Sequence, residues 1–290
     1  QSNRVSFMLK RLKNEVVHSV WAMWHQMQEG DFVQTYTEKG FRGNDKEWES
    51  MCIPFGEDAK ICLNGVIDRV DLCSLPGEEL IKIIDYKSSD SQDLLLAKVY
   101  YGLQMQLLTY LEAAKEMVEK EHKGKEAVPA AMLYYAIKEK NLDWKPESEE
   151  EYEKRVLDSM KCKGYVNEEP EIIGHLDKSV VNGGELIPGQ KSGVVPVAVD
   201  KKGLLKKNSG TLSTKDFETL IAHTKEKMKE CGKAILDGKI EAIPYVYEDN
   251  DGCTYCPYGS VCGHESKKDG VREMKKMSDD EVWEALYGDN

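Results

Sequence analysis

The chain has 290 residues, with 52 acidic against 40 basic side chains and a net charge of -12 at pH 7. That length supports one domain, or one domain with an insertion, around a sizeable core. The charge argues against a free-standing module that grips nucleic acid through a broad basic face. No apolar run is long enough to span a membrane and no secretory pattern is present, and the cysteines show an intracellular style of usage, so a cytoplasmic protein is expected.

Residues 4–29 are predicted to form an amphipathic helix, with Leu9, Leu12, Val16, Val20 and Met23 or Trp24 on its apolar face. The segment Glu38–Phe41 leads into a sheet. Two strand-like runs follow, Ile61–Asp68 and Leu80–Lys87, and Pro76-Gly77 between them predicts a hairpin. The second run is apolar at Leu80, Ile81, Ile83 and Ile84, as a central strand buried on both faces would be. Asp68 ends the first run. Asp85 and Lys87 share a face of the second, because strand side chains alternate with period two. A carboxylate at the end of a buried strand is costly unless it is paired or metal-bound. Mg²⁺ or Mn²⁺ would suit such oxygens, keeping several waters and completing its shell with a phosphate. A lysine two positions on could stabilise charge developing on a phosphoryl oxygen. The trio points to a metal-dependent phosphodiesterase, although Asp-x-Lys alone is a weak signal that a solvated strand edge also explains. Asp71 is out of phase with Asp68 and is expected to be structural.

A helix is predicted over Leu94–Lys120, behind the sheet, and Met132–Ile137 returns as another strand. Residues 143–163 are charged and read as helical. Residues 164–213 read as an irregular insertion with short strands. Within it, Gly184–Ser192 superficially matches a phosphate-binding loop, but it has one residue too many before Lys191 and no helix former after it, so it reads as a glycine-rich turn. Ser213 is predicted to cap a helix reaching about Asp237, with Asp216 in a capping-box position. Local basic runs, such as Lys201-Lys202 with Lys206-Lys207, read as solvated surface.

Cys253, Cys256 and Cys262 follow the turn Asn250-Asp251-Gly252. Thiolates are soft ligands, and short loops present several sulfurs to one centre. Spacing alone leaves an iron–sulfur cluster and a zinc knuckle, with His264 as a fourth ligand, equally open. Cys52, Cys62, Cys73, Cys162 and Cys231 are scattered, and Cys62 reads as a small buried hydrophobe. A short helix is expected around Asp279–Leu286.

Three segments together, Gly65-Val-Ile-Asp68-Arg69-Val-Asp71, Ile84-Asp85-Tyr86-Lys87-Ser88 and Tyr101-Gly-Leu-Gln104-Met-Gln106-Leu-Leu-Thr-Tyr110, resemble the RecB-like nucleases of the PD-(D/E)XK superfamily. Within that superfamily the resemblance is to the C-terminal nuclease domains of AddB-type helicase–nucleases, and it runs in order over roughly residues 4–264. It implies an α/β fold with a restriction-endonuclease-like core: a central mixed β-sheet flanked by helices, carrying an irregular insertion and a C-terminal cysteine arm. It implies metal binding and water activation by Asp68, Asp85 and Lys87. The family's Gln-x-x-x-Tyr motif falls on Gln106 and Tyr110, which share a helix face. Gln104, roughly 200° from Gln106 around a helix, is the weaker candidate. The implied activity is Mg²⁺- or Mn²⁺-dependent exonucleolytic hydrolysis of DNA in double-strand break repair and recombination, beside an AddA-like partner.

The resemblance also tips the cysteine arm toward a 4Fe-4S cluster, with Cys253, Cys256 and Cys262 joined by one far-upstream cysteine. That cysteine and the family's metal-binding histidine are expected ahead of a helix like the one at residues 4–29, so the chain reads as an excised fragment. Its arm is expected to be empty, zinc-loaded or disulfide-bonded, and its nuclease activity weak when alone. The chain divides into an N-terminal helix (1–30), the nuclease core (31–142), an insertion and helix (143–238), the cysteine arm (239–264) and a tail (265–290). Two other functions compete. One is a free-standing RecB-like exonuclease of the CRISPR-associated kind. The other is a DNA-end-binding scaffold with a vestigial metal site, against which the intact Asp68, Asp85 and Lys87 argue.

Overall fold

The computed structural model describes residues 2–43, 48–56, 59–88, 93–137, 145–265 and 269–288. The chain forms two compact units: Gln1–Met51, Leu63–Leu94 and Gln106–Ile221 in the first, and Cys52–Cys62, Leu95–Met105 and Ala222–Asn290 in the second.

The first unit is built on a six-stranded mixed sheet. Its strands are β1 (Val33–Phe41), β4 (Gly65–Leu75), β5 (Glu78–Lys87), β6 (Glu126–Ala136), β7 (Lys163–Asn167) and β10 (Thr211–Leu212), in that spatial order. β1 and β5 both pair antiparallel with β4, β5 and β6 pair in parallel, β6 and β7 antiparallel, and β7 and β10 in parallel. The β4–β5 hairpin turns at Pro76-Gly77, where Leu75 pairs with Glu78 and Gly77 takes a φ of +85° that its missing Cβ permits. β5 lies inside the sheet, which is why its apolar run is almost continuous. Leu80, Ile81, Ile83 and Ile84 are all buried, each stabilising the fold by about 1.5–3 kcal/mol.

The parallel β5–β6 pair needs a crossover. It is made by α2 (Leu96–Tyr100), a turn, and α3 (Gln106–Glu121), which packs on β5 and β6. The single helix predicted over Leu94–Lys120 is therefore two helices. The chain turns between them at Gly102, with φ +76°. The C-terminal end of α3 is tied to the first strand region by Glu121, which accepts hydrogen bonds from the Tyr36 hydroxyl and, at 2.8 Å, from the Trp48 indole.

On the other face lies α1 (Asn3–Gln28). Its C-terminal half is anchored: Ala22 is buried, the Ser19 hydroxyl donates to the Ile137 carbonyl (2.7 Å), and Gln26 donates to the Met160 carbonyl (3.1 Å). Of the predicted apolar face only Met23 packs against the core. Leu9, Leu12, Val16, Val20 and Trp24 are exposed, on a stripe centred roughly a quarter of a turn from Ser19 and Ala22.

The predicted insertion is more ordered than its composition suggests. α4 (Glu149–Ser159) opens with a full capping box between Ser148 and Glu151, α5 (Pro170–Leu176) follows β7, a small hairpin joins β8 (Val181–Asn182) to β9 (Glu185–Leu186), and β7 and β10 extend the main sheet. α6 (Thr214–Leu236) starts as predicted: Asp216 accepts from the Ser213 backbone and hydroxyl (3.1 and 2.7 Å), and the Asp216 N–H donates back to that hydroxyl (3.1 Å).

In the second unit, the hairpin of β2 (Met51–Phe55) and β3 (Ala59–Leu63) is crosslinked by a Cys52–Cys62 disulfide. This corrects the reading of Cys62 as buried: both cysteines are on the exposed side of the hairpin. Phe55 packs on Gly232 of α6, where an added Cβ would meet its ring at 3.0 Å. A three-stranded sheet of β11 (Tyr245–Tyr247), β12 (Asn250–Asp251) and β13 (Arg272–Met274), the short α7 (Gly259–Cys262) and α8 (Asp279–Gly288) complete this unit. No helix among the described residues is long and apolar enough to cross a membrane.

Candidate active site

The ladder between β4 and β5 stops at Arg69–Ile84. Beyond it the next partner of β5 is a side chain: Asp68 Oδ2 accepts the Tyr86 N–H at 2.8 Å. Asp68 therefore lies within β4, not at the end of a strand. The single run predicted over Ile61–Asp68 is split at Asn64 into β3 and β4. The carboxylate fixes the place where the two strands part, one residue from Asp85.

Asp85 and Lys87 project from β5 to the same side. Asp85 is 3% exposed, and Lys87 Nζ lies 2.5 Å from its Oδ2. Asp85 Oδ2 is a buried oxygen held by this ion pair, with no conventional hydrogen bond beside it. Burial pushes the Asp85 carboxyl above the usual carboxylate range; Lys87 pulls it back, and the neighbouring charge of Asp68 adds to the rise. A buried carboxylate balanced by one ammonium, with a second acid beside it, leaves scope for a further cation.

Lys87 Nζ also donates to Gln106 Oε1 at 3.2 Å, and Gln106 Nε2 donates to the Tyr110 hydroxyl at 3.0 Å. Gln106 opens α3, so Tyr110 follows one turn later on the same face. The Tyr110 ring meets Phe41 edge-on at 6.0 Å between centres, and both press on Gly65, where an added Cβ would lie 2.7 Å from Phe41 and 3.4 Å from Tyr110. The glycine three residues before Asp68 thus makes room for Phe41, whose ring packs edge-on against the tyrosine that ends the Lys87–Gln106–Tyr110 chain. Gln104 is not helical, and its Oε1 accepts the Leu95 N–H (2.9 Å).

Asp71 has a different fate. It is 0% exposed and receives both prongs of Arg69 (2.6 and 2.8 Å) and the Lys82 ammonium (2.9 Å). Burial pushes its carboxyl up, but the two cations outweigh that and hold it below the usual range. It is a satisfied structural charge, as its phase suggested.

One neighbour went unread in the sequence. Tyr134 pairs with Asp85 across the parallel β5–β6 ladder, and its ring centre lies 5.2 Å from Lys87 Nζ. Burial, then Asp85 and Tyr110, push its phenol up to about 12. Met132–Ile137 was legible as a strand, but only the long-range register reveals that Tyr134 stands beside Asp85.

The donor set around Asp68 and Asp85 fits a hard divalent cation: two carboxylates, one of them buried, leaving the remaining positions to water and phosphate. Among the described residues, no three His, Cys, Asp or Glu side chains are gathered into a metal-holding group. That applies to the cysteine arm too. Cys253, Cys256 and Cys262 are exposed free thiols, and Cys256 and Cys262 lie close enough to Cys253 to push its thiol up, after desolvation and Asp251. The His264 side chain is 6% exposed, its ring nitrogens make no hydrogen bond, and Nδ1 lies 3.7 Å from Asp269.

Two carboxylates and a lysine are gathered where two central strands of an α/β fold part, beside a Gln–Tyr pair from the crossover helix. A family model described as the PD-(D/E)XK nuclease superfamily matches residues 2–263, and the chain belongs to that superfamily. It is similar to ATP-dependent helicase/deoxyribonuclease subunits of the AddB type. Those of Thermoanaerobacter sp. (strain X514) and Lachnoclostridium phytofermentans are each 32% identical to it, over 288 and 289 residues, covering 98% of this chain and 24% of the relative. The counterpart in Clostridium botulinum (strain Loch Maree / Type A3) is 32% identical over 292 residues, with the same coverage. The chain therefore spans about a quarter of the length of these relatives.

Proposed function

We propose that this chain is the divalent-metal-dependent DNA nuclease domain of an AddB-type helicase–nuclease, hydrolysing phosphodiester bonds exonucleolytically during break repair. The observation that carries the reading is the buried Asp85 carboxylate, paired with Lys87 and set beside Asp68. Asp68 and Asp85 would hold Mg²⁺ or Mn²⁺. Such a cation supplies Lewis-acid polarisation of the phosphodiester and a more acidic water.

The remaining work belongs to the chain. Asp68 keeps one oxygen on the Tyr86 N–H, which fixes its other oxygen toward the site. Lys87 places positive charge where a phosphoryl oxygen gains negative charge, and the Gln106–Tyr110 pair holds Lys87 in that direction. The net charge of -12 leaves most DNA contact to an AddA-like partner and to polypeptide of the kind the longer relatives carry. A cytoplasmic location follows from that role. The cysteine arm, where Cys256 and Cys262 lie near Cys253, is the candidate seat of an iron–sulfur cluster in a longer protein, with a further ligand.

The test is cleavage of single- and double-stranded DNA with and without Mg²⁺, wild type beside Asp85→Ala. The expected outcome is Mg²⁺-dependent cleavage that falls about 1,000-fold or more in the variant, the scale of losing a group that acts electrostatically in the transition state. Cleavage that is indifferent to chelation or to Asp85 would refute the reading.

A further inference from the structure

The contact between Lys87 and Tyr134 is absent from every motif in the sequence, yet the sheet register builds it. In the parallel β5–β6 ladder Asp85 stands opposite Tyr134 and Lys87 opposite Ala136. Ala136 carries nothing beyond its Cβ, so the Lys87 stem is free to lean back along the sheet. Its ammonium then lies 5.2 Å from the centre of the Tyr134 ring, within the range in which a ring face attracts a cation. Tyr134 itself is buried, which desolvates the contact and strengthens it.

Among the described residues, the polar neighbours of Lys87 are Asp85 Oδ2 at 2.5 Å and Gln106 Oε1 at 3.2 Å. The first of these is the oxygen assigned to the divalent cation. Once that oxygen is engaged, a neutral amide and a ring face are left to hold a long, flexible side chain. The ring contact makes no demand on a ligand atom.

We propose that Tyr134 is a positioning residue for Lys87, its aromatic face holding the ammonium over the reacting phosphate. This rests on the nuclease reading above. It assigns the requirement to the aromatic surface and not to the phenol hydroxyl.

The experiment compares wild type, Tyr134→Phe and Tyr134→Leu in Mg²⁺-dependent cleavage of DNA. A second readout needs no metal: the chemical shift of the Lys87 ε-methylene protons in selectively labelled protein, which the ring current of Tyr134 moves upfield. The Phe variant is expected to keep kcat within about 3-fold. The Leu variant is expected to lose about 10- to 30-fold in kcat with KM little changed, the scale of a desolvated cation–π contact. The Lys87 shift should stay upfield with Phe and relax with Leu. A Leu variant with wild-type kcat, or a Lys87 shift unmoved by Leu, overturns the assignment. A Phe variant as damaged as Leu overturns it too, by making the hydroxyl the acting group. If wild type does not cleave while the Lys87 shift responds to Leu, the nuclease reading has failed and the catalytic purpose of the contact goes with it. An active wild type with an indifferent Leu variant removes the Tyr134 assignment alone.

Discussion

Asp71 and Asp85 are buried carboxylates on neighbouring strands, and their surroundings could hardly differ more. Asp71 is saturated: a bidentate guanidinium and an ammonium use both its oxygens. Asp85 has one lysine, paired with a single oxygen, and an acidic neighbour. A buried charge that is fully paired belongs to the fold, whereas one left partly unpaired is open to a ligand. The two sites can be told apart by what their removal does.

The largest effect on the fold should come from Asp71. Asp71→Asn leaves Arg69 and Lys82 buried beside a neutral amide, and breaking a buried ion pair from one side costs about 3–5 kcal/mol. Urea unfolding should show that loss, with cleavage falling only as the folded fraction falls. A variant as stable as wild type would mean that the triad is solvated and the contrast is false.

A subtler effect separates the two by pH, measured in chelator so that no metal intervenes. The Asp71 carboxyl is held below its unfolded value, so its contribution to stability is present above about pH 4 and disappears as pH falls through the folded value. The Asp85 carboxyl is raised, so it favours the fold when protonated; that contribution is lost as pH rises through its folded value. Subtracting the stability of Asp71→Asn and of Asp85→Asn from wild type should therefore give two curves, the first rising with pH and the second falling. Two curves of the same slope would remove the electrostatic distinction.

Much of this was legible in the sequence because it is local. The apolar run before Asp85, the turn at Pro76-Gly77, the Ser213–Asp216 box and the four-residue spacing of Gln106 and Tyr110 each depend on residues close together in the chain. What was hidden depends on the register between strands. Nothing near Tyr134 says that it will stand opposite Asp85, and nothing near Cys52 says that it will meet Cys62. Asp68 was placed at a strand end because the break at Asn64 carries no proline or glycine of its own, although Gly65 follows. The α1 face was misjudged for a different reason: periodicity finds the apolar stripe but cannot say which side meets the sheet. There, Ser19 and Ala22 pack because small residues allow close approach, and the larger Leu9, Leu12 and Val16 are left outward.

The buried Asp85 carboxylate is proposed to hold a divalent cation. The most direct measurement is Mn²⁺ binding followed by electron paramagnetic resonance, with a melting curve recorded on the same samples, for wild type and Asp85→Ala. Wild type is expected to bind Mn²⁺ and the variant not to. The metal-free variant should melt within about 2 °C of wild type or above it, because burial raises the Asp85 carboxyl and its removal relieves the fold. Equal Mn²⁺ binding by the two proteins, or a variant that melts well below wild type, would contradict the proposal.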